Sequence, residues 1–296
     1  MEGMSPSLAR ASLLGLALGD AFGSQFFVPA NRPCLSARTL PPAPWQWTDD
    51  TEMACSVLDV LTRRGAVDQD DLAHAFAARH DFDRGYGPAT NRLLRLVREG
   101  GDWRELATGL FDGAGSWGNG AAMRVAPLGA WFAGDPARAA AEAASSAEVT
   151  HAHPEAVAGA VAVAVAAALD PSLPAGRFLD RIMEHVPPGL VRTGIAEARG
   201  LLPIADPLLA ARMLGSGRRV TAHDTVPFTL WVAARERRDF AKAVWTTASA
   251  GGDVDTTCAI VGGILAASPQ VNLPGEWTAR CEPLPDWAGV QLPVRP

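Results

Sequence analysis

The sequence predicts an all-α protein, a compact single-domain orthogonal bundle of ten or more helices. Alanine, leucine and valine dominate, and aromatic residues make up 7% of the chain, a balance that favours helices over sheets. Apolar residues recur at three- and four-residue spacing, and Gly, Pro, Asp or Ser often stands at the ends of these segments. No convincing alternation of apolar and polar residues indicates a strand.

The apolar spacing predicts eleven helices along the chain. They are expected at 5–22, 51–64, 69–80, 88–99, 119–132, 136–147, 154–169, 188–200, 223–235, 239–249 and 255–267. The longest apolar stretch, about 14 residues from position 156, is shorter than the ~20 that cross a bilayer, so we interpret it as a buried helix. The chain is predicted to form one domain, 1–296, with 269–296 as a proline- and tryptophan-rich tail on the surface.

The composition argues against several kinds of protein. The formal net charge is −6 and no basic run is present, which disfavours nucleic-acid binding through a basic surface. The four cysteines, Cys34, Cys55, Cys258 and Cys281, are far apart and form no CxxC pair, unlike a disulfide framework or a zinc site. We therefore expect a cytoplasmic monomer that does not enter a membrane.

Two adjacent aspartates, Asp49 and Asp50, precede the helix predicted at 51–64. Threonine and aspartate at a helix start accept backbone N–H bonds, and negative charge suits that end of a helix. Helix capping is therefore one interpretation of the TDDT stretch at 48–51.

The same pattern occurs again at 249–257. There Asp253 and Asp255 follow two glycines, and threonines and an apolar helix come next. Capping alone does not readily explain two acidic helix starts of this kind. If the two starts face each other, four carboxylates converge and their repulsion requires cations. Carboxylate and hydroxyl oxygens suit Mg²⁺ or Mn²⁺, so a site for two such ions that activate water is expected.

Six stretches together resemble the ADP-ribosylglycohydrolase family, and they keep the family's order. They are GLALGDAFGS (15–24), WTDDT (47–51), RGYGPAT (84–90), GSWGNGAAMRVAPLG (115–129), THAHPEA (150–156) and GGDVDTT (251–257). The family includes the dinitrogenase reductase-activating glycohydrolase and the eukaryotic ADP-ribosyl-acceptor hydrolases. The resemblance implies an all-α fold with a dinuclear magnesium or manganese centre.

The resemblance also implies a reaction, the hydrolysis of the bond between ribose C1″ of ADP-ribose and an acceptor. The partner is then ADP-ribose or an ADP-ribosylated protein, and Asp49 and Asp253 are catalytic candidates. The implied metal ligands are Thr48, Asp49, Asp50, Asp253, Asp255 and Thr256. The alternative is a member of the family that binds ADP-ribose without turnover or has a structural role.

The loop at 115–120, GSWGNG, has two interpretations. It is a turn that leads into a helix, or its exposed backbone N–H groups bind the diphosphate while Trp117 stacks on a base or ribose. The expected substrate-binding residues are Gly115, Ser116, Trp117, Gly118, Asn119, Gly120 and His151. His151 matches a family histidine near the substrate, and a purely structural role is the alternative. Arg124 is interpreted either as a diphosphate contact or as a buried ion-pair partner.

The candidate for the base that acts on the ribose is Asp83, by comparison with an acidic residue of the nitrogenase-regulating branch. Its alternative is a loop aspartate paired with Arg84. The serine-directed branch uses a glutamate near the scissile bond, and Phe27 stands at that place here. Either Asp83 replaces the glutamate, as in an arginine-directed enzyme, or the substrate differs. Asp20 matches an acidic position that orients the metal site from behind.

Overall fold

The structure is a computed structural model that describes residues 4–290. This part of the chain consists of α-helices joined by turns. The sixteen α-helices of this part of the chain are α1 Met4–Ser24, α2 Arg32–Ala37, α3 Asp49–Arg64, α4 Gln69–Arg79, α5 Pro88–Arg98, α6 Trp103–Thr108, α7 Ala126–Trp131, α8 Pro136–Glu148, α9 Pro154–Ala168, α10 Ala175–Met183, α11 Leu190–Gly200, α12 Pro207–Leu214, α13 Ala222–Arg235, α14 Phe240–Ser249, α15 Val254–Ala266 and α16 Gly275–Thr278. No strand occurs between residues 4 and 290. The all-α prediction is confirmed.

The helix predicted at 119–132 is wrong in its first half. Asn119–Ala121 forms a single 3₁₀ turn, and α7 begins at Ala126 with Pro127 in its first turn. The Asn119 side chain donates a hydrogen bond to the Thr225 hydroxyl on α13. This residue is therefore held by a tertiary contact and is not part of an α-helix. The spacing also missed α2, α6, α10, α12 and α16, which have four to nine residues each. Segments of that length are too short to show a clear helical period.

Close packing of α1 on α15 rests on glycines spaced four residues apart. Gly15, Gly19 and Gly23 lie against the α15 backbone, and a Cβ on Gly19 would be 2.2 Å from the carbonyl oxygen of Cys258. Because no side chain separates the two backbones, the end of α1 that carries Asp20 lies directly beside the start of α15. This packing places the Asp20 carboxylate close to that of Asp255 at the start of α15.

The tail that begins at 269 is not confined to the surface. Trp277 is buried and stacks on Phe22, with ring centroids 4.4 Å apart. Leu284 is buried as well. Arg84 donates two hydrogen bonds to Glu282, which fastens the tail beside the turn at Phe82–Arg84. The last six residues, 291–296, lie outside the described part, and the assignment of 1–296 to one domain stays a prediction.

No single helix of residues 4–290 is long and apolar enough to cross a membrane. One pair of segments, Pro6–Phe27 and Pro29–Ala37, meets the length and composition requirements together but is bent by 100°. The four cysteines are free thiols, and three of them are buried. The cytoplasmic location and the monomeric state stay predictions.

We expect Gly19→Ala to destabilise the protein strongly. The new methyl group would overlap the Cys258 carbonyl group, and overpacking against backbone costs about 1–3 kcal/mol or more. Chemical denaturation measures the loss of unfolding free energy. Gly200→Ala is the matched control, because a Cβ there meets open space at the end of a helix. Equal stability of the two variants would contradict the close α1–α15 contact.

Candidate active site

Five aspartates from three helices meet at one end of the bundle. Asp20 comes from α1, Asp49 and Asp50 begin α3, and Asp253 and Asp255 lie at the start of α15. One carboxylate oxygen from each of Asp20, Asp50 and Asp255 lies within 4.8 Å of the others. The two acidic helix starts, about 200 positions apart in the sequence, therefore belong to one cluster.

Asp20 holds the start of α3 in place. Its Oδ2 accepts hydrogen bonds from the Thr48 N–H at 2.9 Å and from the Thr51 hydroxyl at 2.5 Å, and its Oδ1 accepts one from the Thr48 hydroxyl at 2.8 Å. Thr48 itself makes no side-chain cap to α3. The capping interpretation of TDDT is therefore wrong in detail, because the cap comes from α1. This leaves Asp49 and Asp50 free for another role.

Asp50 has an unsatisfied oxygen. Its Oδ1 is buried and has no hydrogen-bond partner among the described residues. Its Oδ2 lies 3.0 Å from the Thr48 hydroxyl, whose single proton is also shared with Asp20. A buried carboxylate that lacks partners is costly. The donor set, which consists of carboxylate and hydroxyl oxygens, fits a hard divalent cation.

Within residues 4–290, no side-chain cation pairs with the cluster. The ion pairs of residues 4–290 involve other carboxylates. Burial, followed by repulsion from Asp20, raises the pKa of Asp49 to about 8. Burial also raises the pKa of Asp20 to about 6. The pKa values of Asp50 and Asp255 lie well above their usual range for the same reason, and neighbouring aspartates add to the effect.

A cleft of about 510 Å³ opens above this cluster. Of the six predicted metal ligands, four line it: Asp49, Asp253, Asp255 and Thr256. Asp50 and Thr48 lie behind them, joined through the Thr48 hydroxyl. Six of the seven predicted substrate-binding residues also line the cleft: Ser116, Trp117, Gly118, Asn119, Gly120 and His151.

The exception is Gly115, which packs against backbone instead. A Cβ on Gly115 would be 2.7 Å from the backbone nitrogen of His153. The φ of Gly115, +75°, is in the left-handed region that favours glycine. Gly115 therefore lets the loop approach the start of α9. The prediction that the loop's N–H groups are exposed holds only in part. Gly118 donates to the Ser116 hydroxyl and Asn119 to the Val220 carbonyl group.

Asn119 links the loop to the acidic cluster. Its Nδ2 donates to Asp253 Oδ2 at 2.7 Å and to the Thr225 hydroxyl at 3.1 Å. Burial raises the pKa of Asp253, and the hydrogen bond from Asn119 opposes that rise. The amide therefore orients one carboxylate of the cleft from the α13 side.

Arg124 fits neither of its predicted roles. It is fully buried, does not line the cleft, and forms no ion pair among the described residues. Its guanidinium donates to the Thr150 hydroxyl and to the Ser146 carbonyl oxygen. His153, in turn, accepts a hydrogen bond from the Glu155 N–H at the start of α9 and lies 5.6 Å from the Trp117 ring.

Asp83 and Phe27 lie outside the lining of the cleft. Asp83 is exposed on the turn Phe82–Arg84, two residues before Gly85, which lines the cleft next to Asp49. Phe27 is 50% exposed at the end of a 3₁₀ turn, whereas Phe26 is buried against Phe22. Position 27 itself is a phenylalanine, and a catalytic role for Asp83 in place of the glutamate stays a prediction.

Phe111 and Val220 are among the cleft residues that were not predicted from the sequence. Phe111 and Val220 are 59% and 57% exposed, and both line the cleft. Both have positive φ, +52° and +55°, which is unfavourable for a non-glycine residue and is often retained at functional sites. The only sequence signal for Phe111 was its place directly before an Asp-Gly pair that is typical of turns. No sequence signal marked Val220.

The raised pKa values predict how the stability of the metal-free protein depends on pH. A carboxyl group whose pKa is raised by folding contributes stability that is complete below the unfolded pKa and is lost as pH rises through the folded pKa. For Asp20 and Asp49 this window runs from 3.8 to about 6 and about 8. In chelator, we expect Tm to fall by roughly 5–10 °C between pH 5 and pH 8.

Bound Mg²⁺ is expected to reverse this trend. A cation binds the deprotonated carboxylates, so its stabilising effect grows as pH rises. The melting curves with Mg²⁺ and with chelator should therefore diverge from pH 5 to pH 8. Coincident curves over that range would contradict a cation site at the cluster.

Comparison with known proteins links this geometry to a family. The model of the family described as ADP-ribosylglycohydrolase matches residues 4–292. ADP-ribosylhydrolase ARH3 of Bos taurus is 27% identical over 94% of this chain and 89% of its own length. ADP-ribosylarginine hydrolase Tri1 of Pseudomonas putida is 32% identical over 50% of this chain and 43% of its own. A solved structure described as an ADP-ribosylglycohydrolase-related protein complex superposes with a TM-score of 0.59 at 27% identity, covering 94% and 93% of the two chains.

Proposed function

Because the chain belongs to the ADP-ribosylglycohydrolase family, we propose that its cleft hydrolyses the bond between ribose C1″ of ADP-ribose and an acceptor. The products are free ADP-ribose and the unmodified acceptor. The observation that carries this proposal is the buried, unpartnered Asp50 Oδ1 within a cluster of five aspartates at the base of the cleft.

The cluster is proposed to hold two Mg²⁺ or Mn²⁺ ions. Thr48, Asp49, Asp50, Asp253, Asp255 and Thr256 are the proposed ligands. Asp20 orients them, because its two oxygens are already engaged by Thr48 and Thr51. When bound, such ions polarise ribose hydroxyls and lower the pKa of a coordinated water.

Asp49 and Asp253 are the proposed general acid–base residues. The only hydrogen bond that the Asp49 carboxylate receives within 4–290 is from its own backbone N–H, so its oxygens remain available in the cleft. A carboxylate in this place can take a proton from the attacking water and return it to the leaving group. Asp253 is held by Asn119 at 2.7 Å, which orients it toward the ribose. Asp83 remains a proposed base from the neighbouring turn.

The mouth of the cleft is proposed to bind the base and the diphosphate. Phe111 and Trp117 are both exposed aromatic residues that line it, and a purine stacks favourably on such rings. Arg219 also lines the cleft and is exposed, which supplies positive charge for a phosphate. The ligand thus extends from the acidic base of the cleft to its aromatic mouth.

The acceptor is the part of the substrate that the site defines least. Residue 27 is a phenylalanine, so the glutamate-based mechanism of the serine-directed branch lacks its carboxylate here. Similarity to an ADP-ribosylarginine hydrolase supports an arginine-linked substrate, with ester-linked ADP-ribose as a second class. Both belong to the same reaction at C1″.

A direct test separates hydrolysis from binding. Peptides that carry ADP-ribosylated arginine or serine, and an O-acetyl ester of ADP-ribose, are incubated with Mg²⁺, Mn²⁺ or chelator. We expect metal-dependent release of ADP-ribose from the arginine peptide or the ester. Tight binding of ADP-ribose without turnover in every metal condition would establish the binding role instead, and the absence of both would refute the proposal.

Phe111→Ala is expected to weaken substrate binding more than it slows the reaction. Loss of one stacked base costs about 1–3 kcal/mol, so KM should rise roughly tenfold or more while kcat changes little. Steady-state kinetics with the peptide or ester that is turned over measures both. Phe27→Ala is the matched control, since that ring is similarly exposed but lies outside the cleft. A normal KM for Phe111→Ala would exclude it from the binding site.

A further inference from the structure

We propose that Arg124 is a positioning residue that acts through Thr150 on His151. The three side chains form a relay that leaves the proton of the His151 imidazole on Nε2, so that His151 donates a hydrogen bond to an oxygen of the ligand. The identity of that ligand rests on the proposed function. The tautomer itself does not, because protein contacts alone determine it.

The relay begins at a guanidinium that has no charged partner. Arg124 is fully buried, and its contacts are the Ser146 carbonyl oxygen at 2.7 Å, the Thr150 hydroxyl at 2.9 Å, the Met53 sulfur and the face of the Phe76 ring. A buried charge without a counter-ion costs stability. The loss of stability that this buried Arg124 charge causes is consistent with a role for Arg124 in the adjacent site.

The direction of the hydrogen bonds follows from the chemistry of each group. Arginine only donates, so the Thr150 oxygen accepts from Arg124. The Thr150 oxygen also lies 2.7 Å from His151 Nδ1. If Nδ1 carried a proton, the buried Thr150 hydroxyl proton would lack an acceptor among residues 4–290. Thr150 therefore donates to Nδ1, and an unprotonated Nδ1 places the single imidazole proton on Nε2.

The imidazole carries only one proton near neutral pH. Burial, and then the positive charge of Arg124, lower the pKa of His151 to about 3. Arg124 thus has two effects on the ring, since it disfavours the doubly protonated form and orders the hydrogen bonds on the Nδ1 side.

The Nε2 side of the His151 ring faces the loop at 115–120. A Cβ on Gly118 would be 3.2 Å from His151 Nε2, and one on Gly120 would be 2.9 Å from it. Glycine at both positions makes room for the ring. His151 Nε2 has no protein partner within the described residues, and His151, Gly118 and Gly120 all line the cleft. The Nε2–H group is thus available to a phosphate or ribose oxygen.

Nitrogen NMR of histidine-labelled protein tests the tautomer directly. His151 is assigned by the signal that disappears in His151→Gln. We expect an Nε2–H ring whose Nδ1 resonance shows an accepted hydrogen bond. Thr150→Val should shift that Nδ1 resonance to the position of an unbonded nitrogen, whereas Thr150→Ser should leave it unchanged. An Nδ1–H ring in the wild-type protein, or an unchanged spectrum in Thr150→Val, would overturn the proposal.

Two arginine variants test the start of the relay. Arg124→Lys keeps a donor for Thr150 and should retain the Nε2–H form. Arg124→Met frees the Ser146 carbonyl oxygen, four residues before Thr150, to accept the Thr150 hydroxyl proton, so the Nδ1–H form should appear. Wild-type populations in Arg124→Met would overturn the role of Arg124. If that variant does not fold, Thr150→Val still tests the relay with the buried charge intact.

ADP-ribose titration connects the relay to binding. Thr150→Val should raise the Kd for ADP-ribose about fivefold, the effect of one weakened hydrogen bond, and Thr150→Ser should stay within about twofold of wild type. If wild-type protein shows the Nε2–H tautomer but does not bind ADP-ribose, the proposed function fails while the relay stands. If ADP-ribose binds and Thr150→Val matches wild type in Kd, His151 is not a ligand donor.

Discussion

Asp255→Asn is expected to abolish hydrolysis and, at the same time, to stabilise the metal-free protein. Asp255 lines the cleft and lies within 4.8 Å of Asp20 and Asp50. Its pKa is well above the usual range because of burial and then repulsion from Asp253. Asparagine has the same shape without the charge, and its oxygen still accepts the hydrogen bond that the Thr256 N–H gives at 2.7 Å.

The two effects have opposite signs because the carboxylate has opposite roles. Without metal, it is a buried charge among like charges, so its removal should raise Tm by roughly 3–6 °C in chelator at pH 8, equivalent to about 1–2 kcal/mol. With metal, the same carboxylate is a proposed ligand. We expect kcat/KM to fall at least about 100-fold and the Mg²⁺-dependent rise in Tm to disappear.

A control separates this result from a general charge effect. Asp286→Asn removes one exposed carboxylate near the end of the described chain, which forms no ion pair with any residue of 4–290. It should leave the Mg²⁺ response, the activity and the pH dependence unchanged. If Asp255→Asn also keeps the Mg²⁺ response, the acidic cluster is not the cation site and the proposed function loses its central support.

The convergence of the acidic residues could be predicted because it depends on local patterns. Each helix start is marked by aspartates next to threonines, and repulsion among buried carboxylates implies that a cation joins them. The roles of Asp20 and Gly19 were harder to predict from the sequence. The sequence shows a glycine spacing of four on α1, but only the packed structure shows that it brings α1 against α15.

Other features depend on contacts between distant parts of the chain. Phe111 reaches the cleft because its backbone is left-handed, which no composition rule predicts for phenylalanine. Trp277 lies in a proline-rich tail yet stacks on Phe22 in the core. Arg124 is read from sequence as a charge that requires a partner, whereas its partners are a carbonyl group and a hydroxyl. In each case tertiary context overrides the local signal.

Asn119→Asp should reduce activity as severely as loss of a carboxylate does. Asn119 Nδ2 donates to Asp253 Oδ2 at 2.7 Å and to the Thr225 hydroxyl at 3.1 Å. The substitution keeps the shape but replaces this donor with a second acceptor, so two negative oxygens meet in a buried site. A mispaired buried charge costs about 3–5 kcal/mol, and we expect kcat/KM at pH 8 to fall roughly 100-fold or more.

The pH dependence of this variant identifies the cause. Two adjacent carboxylates share a proton when the pH is lowered, and a shared proton restores the lost hydrogen bond to Asp253. The deficit relative to wild type should therefore be smaller at pH 6 than at pH 8. A deficit that is constant with pH would show that the amide acts by shape and not by donating to Asp253.

Asn91→Asp is the matched control for the same chemical change. Asn91 Nδ2 also donates a 2.7 Å hydrogen bond, to the Tyr86 carbonyl oxygen, and its Oδ1 lies 2.6 Å from His80. It does not line the cleft. Its substitution is expected to lower stability by about 1–2 kcal/mol without a pH-dependent deficit in kcat/KM. Because both changes remove an amide donor but only Asn119 serves Asp253, their contrast shows whether that hydrogen bond causes the loss of activity.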